Sequence, residues 1–262
     1  MKNKTNWLAY NDLAWTDQII SGPDDYAEET ELLVKALLDH SSGEIRTILH
    51  LGCGAGFSDY IFKRHFNVTG VDISPGMLDI ARKVNPEIIY QLGDMRNIEL
   101  GECFDAVVIP DSIDYMRTED ELFDAMKTAK KHLKPGGKLL IVTHPAESFI
   151  RNNFVYMGSN KEVEITLFEN NYIPDSSESG YEATLIYLIR RQGKLEIHTD
   201  RHFLGLFKLP RWLDIFNKAG FENLVQINMD HTYDRFILGE GRYPQLVFIC
   251  SKPQHNTGSA SR

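Results

Sequence analysis

With 262 residues, 42% of them hydrophobic and 25% charged, the chain can bury one elaborated domain or one domain with an insertion. Its net charge of -9 disfavours a general nucleic-acid or anionic-membrane surface, since either needs clustered positive charge. Cys53, Cys103 and Cys250 are too scattered for a disulfide framework or a Cys-x-x-Cys metal site, and no apolar run is long enough to span a membrane.

The start, Met1 to Asn6, is polar and lacks the apolar stretch of a secretion signal, so a cytoplasmic location is expected. Residues 1–44 read as an N-terminal helical cap. Trp7 to Ile20 is aromatic-rich and weakly helical, and Ser21-Gly22-Pro23-Asp24-Asp25 breaks the chain and starts a new helix. Leu32, Leu33, Ala36, Leu37 and Leu38 then recur at helical spacing until His40-Ser41-Ser42-Gly43. Tyr10, Trp15 and Tyr26 are packing residues, or else Tyr10 and Tyr26 belong to a lid that carries them into a ligand pocket.

Residues 45–145 alternate strands with helices. The apolar run Ile48 to Leu51 stops in Gly52-Cys53-Gly54-Ala55-Gly56, a bare turn that would bring backbone close to a ligand at a helix start, with the helix running to about Phe66. Val68 to Asp72 is the next strand, and Asp72, about twenty residues beyond Gly52, can accept both hydroxyls of a ribose. Ser74 caps a helix with Pro75 at its first turn. After a short strand at Ile88 to Gln91 comes Gly93-Asp94-Met95, where Asp94 can take the exocyclic amine of an adenine flanked by Ile73 and Met95. The other role for Asp94 is a solvated loop acid or helix cap. Phe104 to Ile109 is a continuous apolar strand of the kind found inside parallel sheets, and it exits through Pro110-Asp111-Ser112-Ile113-Asp114-Tyr115-Met116. A helix over Glu119 to Leu133, a closing Lys134-Pro135-Gly136-Gly137 and a strand over Lys138 to Thr143 complete the pattern. Such alternation predicts an α/β fold, a doubly wound and mostly parallel sheet whose ligand lies at the strands' carboxyl ends, where Gly52, Asp72, Asp94, Asp111 and His144 cluster.

The series Leu51-Gly52-Cys53-Gly54-Ala55-Gly56, Val71-Asp72-Ile73-Ser74 with Met77, Gly93-Asp94-Met95, Phe104-Asp105 and Leu133-Lys134-Pro135-Gly136-Gly137 resembles class I S-adenosylmethionine-dependent methyltransferases. Phe57 stands where a dinucleotide fingerprint needs its third glycine. The resemblance implies a seven-stranded Rossmann-like sheet and S-adenosylmethionine as cofactor, with S-adenosylhomocysteine as product. It implies a cofactor bed of Gly52, Cys53 and Gly54 at the amino-acid moiety, Asp72 at the ribose, Ile73 and Met77 near the adenine, and Asp94 with the Met95 amide at its edge. Tyr10, Tyr26, Pro110 and Asp111 complete it. His50 departs from the family, which usually carries an acid at that place.

Beyond residue 145 the period shifts to two. Val163 to Phe168, Tyr181 to Arg190 and Leu195 to Phe203 read as an antiparallel sheet of about three strands inserted over residues 146–205, with Arg191-Gln192-Gly193-Lys194 as a hairpin turn. Pro174 to Gly180 reads as a mobile polar loop. Residues 206–252 return to the core through a helix at Pro210 to Ala219 and strands ending at Met229 and Ser251, and residues 253–262 read as a disordered tail. On the last inserted strand, alternation puts His198, Asp200 and His202 on one face and Arg201 on the other, a solvated or subunit-contact face, a substrate contact through Arg201 or His202, or a metal site; no metal is expected.

The cap and inserted sheet resemble small-molecule methyltransferases related to the sugar N,N-dimethyltransferases and glycine N-methyltransferases, some of which carry His where Tyr115 stands. A small-molecule acceptor follows, with nitrogen slightly favoured over oxygen. Tyr115, His144 and Asp111 are the candidate bases, and a homodimer through the inserted sheet is an option. Two alternatives stay open. One is a cofactor-binding module without turnover, which His50 and Tyr115 favour. The other is a tRNA or protein methyltransferase, which the acidic balance and the lid oppose.

Overall fold

The structure, a computed structural model, describes residues 7–174, 179–229 and 232–254. The centre of the polar loop, 175–178, and the tail from 255 lie outside the described residues.

Strands β1 (Thr47–Leu51), β2 (Asn67–Asp72), β3 (Ile89–Leu92), β4 (Phe104–Ile109), β5 (Leu133–Thr143), β10 (Glu222–Met229) and β11 (Gln245–Ser251) form a seven-stranded sheet in the order β10-β11-β5-β4-β1-β2-β3. Only β11 runs against its neighbours. β1 and β4 are apolar at nearly every position because helices cover both faces. Leu49, Leu51, Val107 and Ile109 pack with α5 (Glu119–Lys131) and α6 (Leu209–Ala219). Ile48, Ala106 and Val108 pack on the other side with α2 (Ala27–Asp39), α3 (Phe57–Phe62) and α4 (Pro75–Val84). Ser74 caps α4 as expected, accepting the Met77 amide.

The second sheet has four strands, not three: β6 (Asn153–Ser159), β7 (Val163–Tyr172), β8 (Gly180–Arg191) and β9 (Lys194–Gly205), paired in chain order. β6 escapes sequence detection because Tyr156, Met157 and Gly158 break its alternation. The β8–β9 turn at Gln192 and Gly193 has positive φ at both residues, as a tight hairpin requires. Two further boundaries move. α3 stops at Phe62, where the chain tightens into three-residue turns. Lys134 to Gly137 belongs to β5 as an irregularity in its pairing with β4, held by backbone bonds between Gly136, Gly137 and Lys252.

The N-terminal segment joins the two sheets. It contains a 3-10 turn at Ala14–Thr16 and α1 (Asp17–Ile20). Ala9 and Leu13 pack on Ile165, Leu185 and Ile189 of the second sheet. Ala14, Tyr10 and Tyr26 pack on Ala55, Phe57 and Met77 beside the glycine turn. At Gly158, a Cβ would lie 1.8 Å from the Ile19 carbonyl oxygen. Gly158→Ala should therefore displace the segment and cost about 1–3 kcal/mol, seen as a lower thermal midpoint and faster proteolysis within residues 7–20. Wild-type behaviour would show that this contact does not set the seat.

Candidate active site

A cavity of about 600 Å³ opens at the carboxyl ends of β1, β2 and β4, beneath the N-terminal segment and the inner face of the second sheet. Tyr10, Tyr26, Gly52, Cys53, Gly54, Asp72, Ile73, Met77, Asp94, Met95, Pro110, Asp111, Tyr115, His144 and His202 all line it. Arg201 does not. The pleat of β9 turns it to the exposed face, where its guanidinium pairs with Glu182, which removes it from the chamber and corrects the expectation of a substrate contact.

The glycines of the turn serve different ends. Gly52 has φ +76, and a Cβ there would strike Ser112 Oγ at 2.2 Å, so the protein's own packing demands it. Gly54 has φ +53 and nothing within 4 Å of a built Cβ, so its bareness faces open space. Its N–H donates to Asp72 Oδ2 at 2.9 Å, while the Ser74 N–H donates to Oδ1 at 2.7 Å. Burial raises the Asp72 carboxyl against these amides, and each oxygen keeps acceptor capacity for a diol. Ile73 beside it stays 49% exposed, an apolar surface suited to one side of a flat base. Asp94 stands at the rim in a clamp from Arg96, whose Nε reaches both its oxygens at 2.9 and 3.0 Å.

His50 is paired with an acid from α3. His50 Nδ1 lies 2.7 Å from Asp59 Oδ1, and Asp59 Oδ2 accepts the Tyr90 hydroxyl at 3.0 Å. Asn85 then bonds both Tyr90 Oη and the Gly56 carbonyl, which ties the pair to the turn.

Away from the turn the chamber is acidic. Asp111, at an unusual φ of +55, accepts from Gln245 at 3.0 Å, and burial raises its carboxyl. Glu29 accepts the Tyr233 hydroxyl at 2.9 Å through one oxygen, while the other is buried without a hydrogen-bond partner among the described residues. His144 Nδ1 lies 3.0 Å from Asp114 Oδ2, and its Nε2 is buried without such a partner. Burial lowers the His144 imidazole, but Asp114, Asp111 and Glu29 together outweigh it and the net shift is upward. Glu169, on the inner face of β7, accepts from Tyr156 and Asn171. The Tyr115 hydroxyl sits between Tyr10 and His202, 2.6 Å from each. His198 remains half-exposed beside Glu196, and no group of three or more metal-ligating side chains occurs among the described residues.

Glu29 and Glu169 are additions that sequence reading missed. Glu29 lies on the buried stripe with Leu33 and Leu37, where a charged residue is out of place. Glu169 continues the inward alternation of Ile165 and Leu167, past the expected strand end at Phe168.

These residues fit S-adenosylmethionine. The open side of Gly54 would leave room for its amino-acid part, Asp72 would offer paired acceptors to the ribose, Ile73 and Met95 would flank the adenine, and the acidic chamber suits a sulfonium charge. Asp72→Ala removes a charge-assisted double acceptor and should weaken binding about 10- to 100-fold by calorimetry. Unchanged affinity would take Asp72 out of the cofactor bed.

The sequence matches the Methyltransferase domain family over residues 48–137. It is 35% identical over 119 residues to a Streptomyces venezuelae dTDP-3-amino-3,4,6-trideoxy-alpha-D-glucopyranose N,N-dimethyltransferase, covering 45% of this chain and 50% of that one. The chain thus spans about half the length of that curated relative. The sugar N-methyltransferase KedS8 of Streptoalloteichus sp superposes with a TM-score of 0.75 at 21% identity, over 93% of this chain and 92% of that one, a likeness of fold. A Bacillus subtilis protein named as the putative methyltransferase YqeM is 38% identical over 205 residues, 74% of this chain and 81% of its own. With that match across most of both chains, and the motif series on the expected strand ends, the chain belongs to the class I S-adenosylmethionine-dependent methyltransferases.

Proposed function

We propose that the chain methylates nitrogen on a small amine-bearing acceptor held between the two sheets. The charge of the chamber carries this reading. Asp17, Glu29, Asp111, Asp114 and Glu169 line it, and among the described residues no lysine does. Of its two arginines, Arg96 is committed to Asp94 and Glu121, and the Arg117 guanidinium lies over the Phe203 ring. Burial raises the carboxyls of Asp17, Glu29, Asp111 and Glu169, so an incoming cation restores their charge and an incoming anion meets repulsion. The absence of lysine fits an acceptor that brings no phosphate into the chamber.

S-adenosylmethionine, when bound, supplies a methyl group already activated by sulfur. The chain's work is then to position the acceptor, exclude water and manage one proton. An amine reaches neutral pH as an ammonium and must lose a proton before its lone pair is available. Eight tyrosines line the chamber, Tyr10, Tyr26, Tyr115, Tyr156, Tyr181, Tyr187, Tyr233 and Tyr243. Their ring faces suit ammonium and methylammonium groups, and their bulk keeps water out. The activity for which the Streptomyces venezuelae relative is named, that of an amino-sugar N,N-dimethyltransferase, supports nitrogen as the accepting atom.

With S-adenosylmethionine and a panel of amines, amino sugars, phenols and carboxylic acids, S-adenosylhomocysteine should form with amines. Glu29→Gln should raise the amine KM about tenfold, corresponding to about 1.4 kcal/mol of lost ammonium contact. Turnover on phenols or acids but on no amine would overturn the reading.

A further inference from the structure

Tyr10, Tyr115 and His202 extend into a longer line of hydrogen bonds that the amine reading does not use. His202 Nε2 lies 2.9 Å from Asp200 Oδ2. Asp200 and His202 stand two apart on β9, so one pleat presents both to the inside. Tyr115 sits on the 3-10 turn Ser112–Tyr115 after β4, and Tyr10 on the N-terminal segment. That segment also closes the far end, where the Ala9 N–H donates to Asp200 Oδ2 at 2.9 Å. The Trp7 ring packs over the middle, 4.8 Å from Tyr115 and 5.6 Å from His202 between centroids.

Donor chemistry orders the line. A carboxylate only accepts, so His202 Nε2 carries the hydrogen and its Nδ1 is the acceptor of the neutral ring. Tyr115 therefore donates to His202, and Tyr10 donates to Tyr115. The Tyr115 oxygen keeps one more acceptor position, on a side chain that lines the chamber. Burial holds His202 below its ordinary value although Asp200 pulls upward, so the ring is neutral near pH 7 and open to a proton. The other titratable groups near the line are Asp17 from α1, Asp72 from β2, Glu169 from β7, and Tyr181 and Tyr187 from β8. The outer end meets water, with the Asp200 side chain 11% exposed against 2% for His202.

Building on nitrogen as the accepting atom, we propose that Tyr115 is the catalytic group that takes the acceptor's proton, and that His202 and Asp200 are positioning residues that receive it. A proton leaves the acceptor ammonium for the Tyr115 oxygen as the Tyr115 hydroxyl proton passes to His202 Nδ1. The products are a neutral amine and an imidazolium paired with Asp200. The amine lone pair forms the nitrogen–carbon bond while the carbon–sulfur bond breaks, its electrons staying on sulfur. Because Tyr10, Trp7 and Ala9 complete the line, it is assembled only when the N-terminal segment is seated.

The test uses the full chain with an amine that the wild type methylates, comparing Tyr115→Phe, His202→Gln and Asp200→Asn across pH. Near pH 7 each should lower kcat about 100-fold, the scale of a lost general base, with calorimetric cofactor affinity within threefold of wild type. Wild-type activity should hold above the depressed His202 value and fall as pH drops through it, because a protonated ring cannot accept. Above the amine's own pKa the acceptor is already neutral, so the deficits of Tyr115→Phe and His202→Gln should shrink toward wild type. A structural role cannot be rescued by pH. A deficit constant across pH, or wild-type rates in both variants near pH 7, overturns the relay while leaving nitrogen methylation standing. A wild type that methylates no amine overturns both. Should one variant fail to fold, the pH rescue of the other decides.

Discussion

Two apolar surfaces meet on opposite sides of one short stretch of chain, and the chamber exists because of it. Ala9 and Leu13 are buried against the second sheet, while Ala14 is buried and Tyr10 half-buried against Phe57 and Met77 next to the glycine turn. Without that stretch the cofactor bed and the second sheet would be separate surfaces facing water. With it, the acids between them lose solvation, which raises Asp17, Glu29, Asp111 and Glu169 together.

The electrostatics of the interior follow from that water exclusion. Buried acids in surplus over cations are costly in an empty site and favourable around an ammonium or a sulfonium. The same exclusion makes the partners of each titratable group matter more than its identity. His144 faces Asp114 with Thr143 behind it, and His202 faces Asp200 with Tyr115 in front. Burial depresses both rings, yet the shifts end with opposite signs, because three acids surround His144 and one meets His202.

His50 shows how a buried imidazole on a strand finds its partner on a neighbouring helix. An imidazole on β1 borrows the carboxylate of Asp59 on α3, and Tyr90 and Asn85 connect that carboxylate to the Gly56 carbonyl. The carboxylate sits in a buried network that reaches the turn through the Gly56 carbonyl.

Local rules carried much of this architecture. Strand-length apolar runs, helix caps such as Ser74, and glycines at alternate positions are decided within a few residues, so the sequence alone determined the doubly wound sheet and the bare turn at Gly52 and Gly54 with Asp72 at the next strand end. Alternation along β9 was also legible, and it placed Asp200 and His202 on one face. What could not be read was which face looked inward, since period two leaves both faces open until a partner surface covers one. The seating of residues 7–20 made that choice, putting His202 inside and Arg201 in water. The contacts that build the line from Tyr10 to Asp200 likewise join residues far apart in the chain. Only tertiary packing decides them, because their energies come from removing shared groups from water, and no local pattern encodes which groups will share.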